Sequence, residues 1–530
     1  MSTLAGTGAL IRLALRRDRT MLAGWIYGLT GFVAATVYGF KKLYPGGVGI
    51  TIFAATASTN SAFLALYGPM YGISLGSLVA WRDTAVGALG TGLFSVFLMV
   101  RHTRADEESG RLELLGSAPV GRHAALVSAL VITCCANLVL GAAMTGVAIV
   151  LGLPVTGTVA MVAAIIGCGL VFTAVAAVTA QLASTARAAR GLAIGLLVGF
   201  YLVRALGDAA GPRWVTWLSP IGWAEEIRAF GTIRWWVLAL LAVTAVGLAV
   251  VAAVLAVHRD YDAGLLPQRP GSPQAAPSLR TPLALAWRLH RAALAAWLVL
   301  ALVFGGVFGA AAKGIQSLAR SSGGMRHAVT QLGGTSQFTD AYFVLVMTMV
   351  GLFAAGYAIS TVLRLHSEEA DGRADPMLAT GTGRLAWGLS HLAVAWAGTL
   401  LFVLVTGLAA GVGFVATAAG GGSEVGRIVA AALVQLPAAL VLAGLAAALF
   451  GLVPRASVGG AWSALSVVVL AFLVGTLLQL SHWILDISPF THVPKLPGSA
   501  VSPAPLVWLS VAAVLLTVAG LAGLRRRDIG

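Results

Sequence analysis

Apolar runs of roughly the length needed to cross a bilayer, about 20 residues, recur along the whole chain. The runs are continuous and rich in Ala, Leu, Val and Gly, whereas the strands of outer-membrane barrels alternate apolar and polar residues. We therefore predict an all-α polytopic membrane protein with about twelve spans. We place the spans at 21–40, 84–101, 124–150, 158–183, 191–206, 235–257, 292–312, 340–363, 386–416, 427–450, 457–480 and 505–524.

Residues 62–81 are also apolar, but they contain Gly68-Pro69 and several further glycines. Glycine and proline are strong breakers of regular structure. This composition favours an extracellular or re-entrant element over a thirteenth span. An odd number of spans would also place the two ends of the chain on opposite sides of the membrane.

Only 10% of the residues are charged, compared with roughly 25% in soluble domains. The net charge of +15 would suggest nucleic acid in a soluble protein, but basic residues also mark cytoplasmic loops. With both termini inside, 22 of the 34 basic residues fall on the cytoplasmic side. We therefore expect a multi-pass protein of the bacterial plasma (inner) membrane, with no nucleic-acid partner and with both termini cytoplasmic.

The chain resembles two copies of one unit. Residues 104–122 align without gaps onto residues 366–384 at an offset of 262, and Arg187 matches Arg455 at an offset of 268. Several anchors in the same order are typical of an internal repeat. Six spans per copy predict two parallel six-helix halves, 1–257 and 284–530. The proline-rich join, 258–283, is expected to be an extended cytoplasmic linker.

The loop after the second span of each half carries most of the charge pattern. Thr103 is positioned to cap a helix of about 103–118, and the second copy predicts a shorter helix of about 366–380. Glu107 and Arg111 stand four residues apart, as do Glu369 and Arg373, which predicts ion pairs on a helical surface. Such a helix, taken alone, is usually an ordinary solvated element. Its recurrence at the same place in both halves favours a docking element.

A second amphipathic segment precedes the first span. Arg12, Arg16 and Arg19 share one helical face, while Leu10 and Leu13 point away from it. This pattern is typical of an elbow helix that lies on the membrane surface, and Arg288 and Arg291 repeat it more weakly before the second half. An ordinary basic flank of a span remains the alternative.

The segments EESGRLELLGSAPVGRH, HSEEADGRADPMLATGTGR, LSPIGW and ISPFTHVP resemble those of ABC-2 type permeases from actinobacterial polyketide-antibiotic and multidrug exporters, of the tetronasin-resistance type. The resemblance covers nearly the whole chain and implies the ABC-2, or type V exporter, fold. It implies that each loop after a second span is a coupling helix for a separate ATPase. Pro376 departs from the first-half pattern. The coupling residues implied are Arg104, Asp106, Glu107, Glu108, Gly110, Arg111 and Glu113, and then Glu368, Glu369, Asp371, Gly372, Arg373 and Asp375.

The chain has four lysines, and none of them follows a glycine. A phosphate-binding loop requires Gly-Lys-Ser/Thr, so we expect no ATP or other cofactor in this chain, and the lack of an HExxH or paired-cysteine metal motif predicts no metal. ATP and Mg²⁺ would be bound by two copies of a separate ATP-binding subunit. The chain itself is predicted to be a permease rather than an enzyme.

A proton-coupled drug carrier is the alternative, because such carriers can also have two parallel six-helix halves. They generally require ionisable groups inside the bilayer. The charged residues Asp83, Arg204, Asp208, Asp340 and Glu424 all fall near predicted span ends, which disfavours this alternative.

The same resemblance implies a substrate cavity lined by the second and fifth spans of each half. A cavity with few charges suits a hydrophobic or amphiphilic compound. The aromatic candidates are Phe94, Phe97, Phe200, Tyr201, Phe343, Phe353, Tyr357 and Phe472.

Overall fold

A computed structural model describes most of the chain. The described residues are 3–47, 49–59, 61–111, 121–209, 212–259, 263–266, 274, 276–321, 338–417, 422–474, 483, 486–499 and 502–527. Within them, all regular secondary structure is helical. The chain forms two compact units, Met1–Gly271 and Ser272–Gly530.

The first unit contains long apolar helices joined by short helical elements. In chain order its helices are α1 (Thr7–Leu43), α2 (Ile50–Thr59), α3 (Ser61–Tyr67), α4 (Leu75–Val100), α5 (Ala124–Val150), α6 (Val155–Leu182), α7 (Ala186–Ala209), α8 (Pro220–Glu226) and α9 (Trp236–Val257). The core of this unit is formed by α4 and α6, which are the most deeply buried of its long helices.

The second unit begins with α10 (Pro282–Ser321) and α11 (Phe338–Val362), followed by two short helices, α12 (Arg364–Ala370) and α13 (Ala374–Leu378). The remaining helices are α14 (Arg384–Thr417), α15 (Ser423–Leu433), α16 (Leu436–Leu452), α17 (Pro454–Val474) and α18 (Pro503–Arg526). The central helix of this unit is α11.

Within the described residues, eleven helical segments are long and apolar enough to cross a membrane. This confirms the prediction of an all-α polytopic membrane protein. The remaining predicted span, 457–480, corresponds to α17 up to Val474, and its last six residues lie outside the described residues. The segment 62–81 proves to be composite, because α3 ends at Tyr67 and α4 already begins at Leu75.

The predicted elbow segments are continuous with the first long helix of each unit. Helix α1 contains 37 residues and α10 contains 40. At a rise of about 1.5 Å per residue these helices are roughly 55–60 Å long, whereas the hydrocarbon core is about 30 Å thick. Each helix therefore extends well beyond the bilayer, although no kink separates an interfacial part from a spanning part.

Close packing of small residues positions the end of α18 in the second unit. A Cβ atom added at Gly451 would lie 1.9 Å from the carbonyl oxygen of Gly520. Backbones of membrane helices approach this closely only where small residues face each other. Helix α18 is thereby held against α16 up to the charged residues that follow its apolar part.

Candidate functional site

The first charged loop, residues 101–111, continues directly from α4. The helix passes through a π-helical turn at Arg101–Ala105 and ends after Glu108. The hydroxyl of Thr103 donates to the carbonyl of Met99 at 2.7 Å, so the prediction that Thr103 caps a new helix is wrong. The turn that follows the helix contains Gly110, whose φ of +70° is a left-handed conformation that glycine adopts readily.

Buried ion pairs hold this loop. Arg104 is 1% exposed; its guanidinium lies 2.9 Å from Glu107 and donates to the carbonyl of Ser184 at 2.6 Å. The same Glu107 carboxylate oxygen lies 2.9 Å from Arg259, just beyond the last helix of the unit. Removing one partner of a buried ion pair leaves a buried charge without its counter-ion, which destabilises the folded protein. The network therefore fixes the loop to two other connections of the same unit.

A second ionic group joins the loop to α1. Arg17 donates to both carboxylate oxygens of Asp106, at 2.8 and 3.1 Å. Asp18 is 1% exposed, and it lies 2.8 Å from both Arg101 and His102. Bidentate arginine–carboxylate contacts are among the stronger polar contacts in proteins. These residues of α1 were not predicted to take part in the site.

The outer face of the first charged loop is formed by Glu108, Ser109 and Arg111, all exposed. Glu108 nevertheless accepts a hydrogen bond from the backbone N–H of Ala186 at 2.9 Å, at the N-terminal end of α7, where a helix favours a carboxylate. Arg111 lies 3.6 Å from Asp106, and Glu107 is bound by Arg104 and Arg259 instead. The predicted Glu107–Arg111 pair is therefore wrong. Glu113 and the rest of the predicted helix, 112–118, lie outside the described residues.

The second charged loop, residues 364–378, is built from α12 and α13. Gly372 has a φ of +65°, and its N–H and that of Arg373 donate to the carbonyls of Glu369 and Glu368, both at 2.9 Å. This is the Schellman arrangement that ends many helices. Glu368 lies 3.3 Å from both Arg364 and Arg373.

Glu369 forms an ion pair with Arg527, just beyond the last helix of the second unit. The predicted Glu369–Arg373 pair is therefore wrong, because Glu369 is turned toward the end of α18. Asp371, Arg373 and Asp375 remain exposed on the outer face of the loop.

An apolar cluster packs the second charged loop against the long helices of its unit. Its buried members lie on α12, α13, α14, α16 and α18, and they are Leu365, Ala374, Trp387, Phe450 and Leu524. The guanidinium of Arg527 lies 5.0 Å from the ring centroid of Phe450, a cation–π distance. This loop therefore rests on side chains that exclude water, whereas the first charged loop rests on buried ions.

Two kinds of contact recur in both units. The pairs Glu107–Arg259 and Glu369–Arg527 each join the charged loop to an arginine just beyond the last helix. In addition, Arg122 and Arg384 each donate to a backbone carbonyl at the end of that helix, at Val257 and Arg527. Arg259 and Arg527 are separated by 268 residues, the offset that relates Arg187 to Arg455. This spacing was a sequence signal that could have identified them.

The predicted cavity aromatics lie in different environments within their own units. Phe94, Phe343 and Tyr357 are buried, and Trp25 and Trp297 of the two first helices contact Phe94 and Tyr357 at 5.7 and 5.9 Å between ring centroids. In contrast, Phe97 and Phe353 are more than a third exposed. Phe200 packs on Phe172, Tyr201 donates to the carbonyl of Leu66, and Phe472 packs at the edge of the main core. Their role in substrate binding stays a prediction.

A third ionic cluster lies at the opposite end of the first unit. Arg204 is fully buried; its guanidinium lies 2.7 Å from Glu225 and 3.5 Å from Asp208, and donates to the carbonyls of Ala65 and Leu66. Burial raises the pKa of the Glu225 carboxyl well above its usual range, although Arg204 opposes this shift. The cluster fastens α8 to α7 and to the end of α3. Arg204 was predicted to lie near a span end, and its complete burial was not anticipated.

Comparison with known proteins places the chain in a family. The family model described as "Multidrug efflux system permease Rv1217c, C-terminal domain" matches residues 9–256 and 279–525. The multidrug efflux system permease protein Rv1217c of Mycobacterium tuberculosis (strain ATCC 25618 / H37Rv) is 39% identical over 531 residues, covering 100% of this chain and 96% of that protein. The chain belongs to the Rv1217c permease family. Both charged loops lie inside the segments that match this family.

Proposed function

We propose that this chain is the membrane-spanning permease of an exporter driven by a separate ATPase, with one ATP-binding subunit docked at each charged loop. The observation that most directly supports this proposal is that each loop is joined by an ion pair to the end of the last helix of its own unit. A force applied to such a loop is passed to the helix bundle. An ATPase would thereby change the relative stability of two conformations of the permease, which is what drives transport.

We divide the predicted coupling residues into two proposed roles according to their burial. Arg104, Asp106, Glu107, Glu368 and Glu369 are buried or half-buried, so we assign them to positioning the loops. The exposed residues are the candidates for contact with the ATPase, and they are Glu108, Arg111, Asp371, Arg373 and Asp375. Gly110 and Gly372 supply the left-handed turns that end both loop helices.

The proposed substrates are hydrophobic or amphiphilic drugs, including polyketide-type compounds. The family relationship to a multidrug efflux permease supports export of drugs. The resemblance of the charged loops to ABC-2 exporters supports ATP as the energy source, with ATP and Mg²⁺ bound by the partner. The excess of basic residues in the loops that we predict to be cytoplasmic supports a plasma-membrane location with both termini in the cytoplasm.

The docking proposal is tested by reversing exposed charges, and thermal unfolding of the variant is measured in parallel because Arg373 also pairs with the buried Glu368. The double variant Arg111→Glu and Arg373→Glu is co-expressed with the ATPase subunit and purified through the permease. We expect co-purification of the ATPase and ATP-dependent export to fall together. The matched control is Arg213→Glu, an exposed arginine at the opposite end of the first unit. Unchanged co-purification in the double variant would contradict the docking assignment.

A proton-coupled carrier is the second candidate, and one observation favours it. Asp83 was predicted to lie near a span end, but it is 0% exposed inside α4, because this helix begins at Leu75. Ionisable residues buried in membrane spans often carry protons. Under the ATPase proposal, Asp83→Asn retains export, and an uncoupler leaves ATP-driven export intact. Export that survives inactivation of the ATPase but collapses with the uncoupler would establish the carrier instead.

A further inference from the structure

A cavity of about 360 Å³ with charged and apolar lining residues opens at the predicted cytoplasmic end of the first unit. Three arginines line it, Arg104, Arg122 and Arg259, whereas Glu107 is the one acidic residue among its described lining residues. The described lining therefore carries a net charge of +2 at neutral pH. Helix α5 begins beside the cavity at Ala124, and the N-terminal end of a helix adds further positive potential.

Gln181 lines the same cavity and is 3% exposed. Its amide nitrogen donates to the carbonyl of Ala177, whereas its amide oxygen has no hydrogen-bond partner among the described residues. A buried acceptor without a donor is costly. A ligand hydroxyl at this position would donate the missing hydrogen bond.

The second unit fills the same place with apolar side chains. By the offset of 262, Trp387 takes the position of Ala125, and by the offset of 268 Leu524 takes that of Ala256. Ala125 and Ala256 line the cavity of the first unit, whereas Trp387 and Leu524 belong to the buried cluster of the second. Among the described residues, small side chains at both positions leave this space open in the first unit, whereas larger side chains occupy the matching positions of the second.

We propose that this cavity binds a phosphate ester that also carries a hydroxyl group. Guanidinium groups suit the phosphate oxygens because they can donate two parallel hydrogen bonds, and the Gln181 oxygen accepts from the hydroxyl. Two sources supply this chemistry, the headgroup of an anionic phospholipid and a soluble sugar or glycerol phosphate. The volume lies within the range of about 300–1,000 Å³ that is typical of small-molecule sites. A bound phosphate would bridge the first charged loop and Arg259.

The test uses the purified full chain in detergent and native mass spectrometry with three probes: phosphatidylglycerol, phosphatidylcholine and glycerol 3-phosphate. We expect phosphatidylglycerol to be retained in preference to phosphatidylcholine, which has no hydroxyl and no net charge. Arg122→Gln should weaken this retention about tenfold, because hydrogen bonds between ions are strong. Ala256→Leu, which introduces the residue found at the matching position of the second unit, should also weaken it by filling the cavity.

Arg384→Gln, the equivalent change in the second unit, is the matched control and should leave retention unchanged. Competition by glycerol 3-phosphate shows that a soluble phosphate ester also fits, and lipid retention without such competition assigns the site to the headgroup. Binding of glycerol 3-phosphate without lipid retention assigns it to the soluble compound. Equal retention of both lipids with no binding of glycerol 3-phosphate, or equal losses in Arg122→Gln and Arg384→Gln, would overturn the proposal.

Discussion

The two charged loops occupy matching places in their units but are held by different forces. In the first, Arg104 and Glu107 are almost completely buried and pair with each other, with Arg259 and with Ser184. In the second, His366 stands at the position of Arg104, and Trp387 and Phe450 form an apolar base. A loop held by buried ions is damaged by the loss of one charge, whereas an apolar base depends on volume and shape.

Despite this difference, both units connect the charged loop to the end of the last helix in the same way. Each loop keeps an acidic residue paired with the arginine after the last helix. Each unit also keeps an arginine that donates to a carbonyl at the end of that helix. Buried ion pairs in the first unit and apolar packing in the second therefore place each loop against the end of the last helix of its own unit. This supports a shared mechanical role for the loops and an unequal tolerance of substitution.

The largest difference is expected for the matched pair Glu107→Ala and Glu369→Ala. Removing Glu107 takes away the buried carboxylate 2.9 Å from Arg104, which is 1% exposed, and we expect a loss of about 3–5 kcal/mol. The Glu369 side chain is 22% exposed and pairs with Arg527, so its loss should cost about 1 kcal/mol or less. Thermal unfolding of the two variants in detergent measures the difference. Equal shifts in the two variants would contradict the contrast between the loops.

The sequence allowed the helical class, the span positions and both charged loops to be predicted, because span length and local charge are encoded within short segments. Partner choice depends on long-range packing. Glu107 was assigned to Arg111 on helical spacing, but Arg111 follows the left-handed turn at Gly110, so it no longer shares a helical face with Glu107. Likewise, Asp83 was predicted to lie near the end of a span because Gly68-Pro69 led us to treat residues 62–81 as a separate element. The helix α4 in fact begins at Leu75.

An intermediate effect is expected for Phe450→Leu in the apolar base of the second unit. Leucine stands at the matching position of the first unit, Leu182, at the offset of 268. The change removes buried volume and the ring face beneath Arg527, and we expect a loss of about 1–2 kcal/mol. The control is Phe97→Leu, at a side chain that is 37% exposed, which should shift the unfolding midpoint much less. A smaller loss at Phe450 than at Phe97 would show that the second loop does not depend on this base.

The smallest difference is expected for Gly110→Ala and Gly372→Ala, which test the feature that the two loops share. Both glycines have positive φ, +70° and +65°, and an added Cβ would meet no atom of the described residues within 4 Å at either position. The cost is therefore the backbone strain of alanine in a left-handed conformation, about 1 kcal/mol in each variant. Because the strain is local, the two unfolding midpoints should fall by the same amount, whether the loop is held by buried ions or by apolar packing. A clearly larger fall in one variant would show that the turn itself is coupled to the buried ions or to the apolar base.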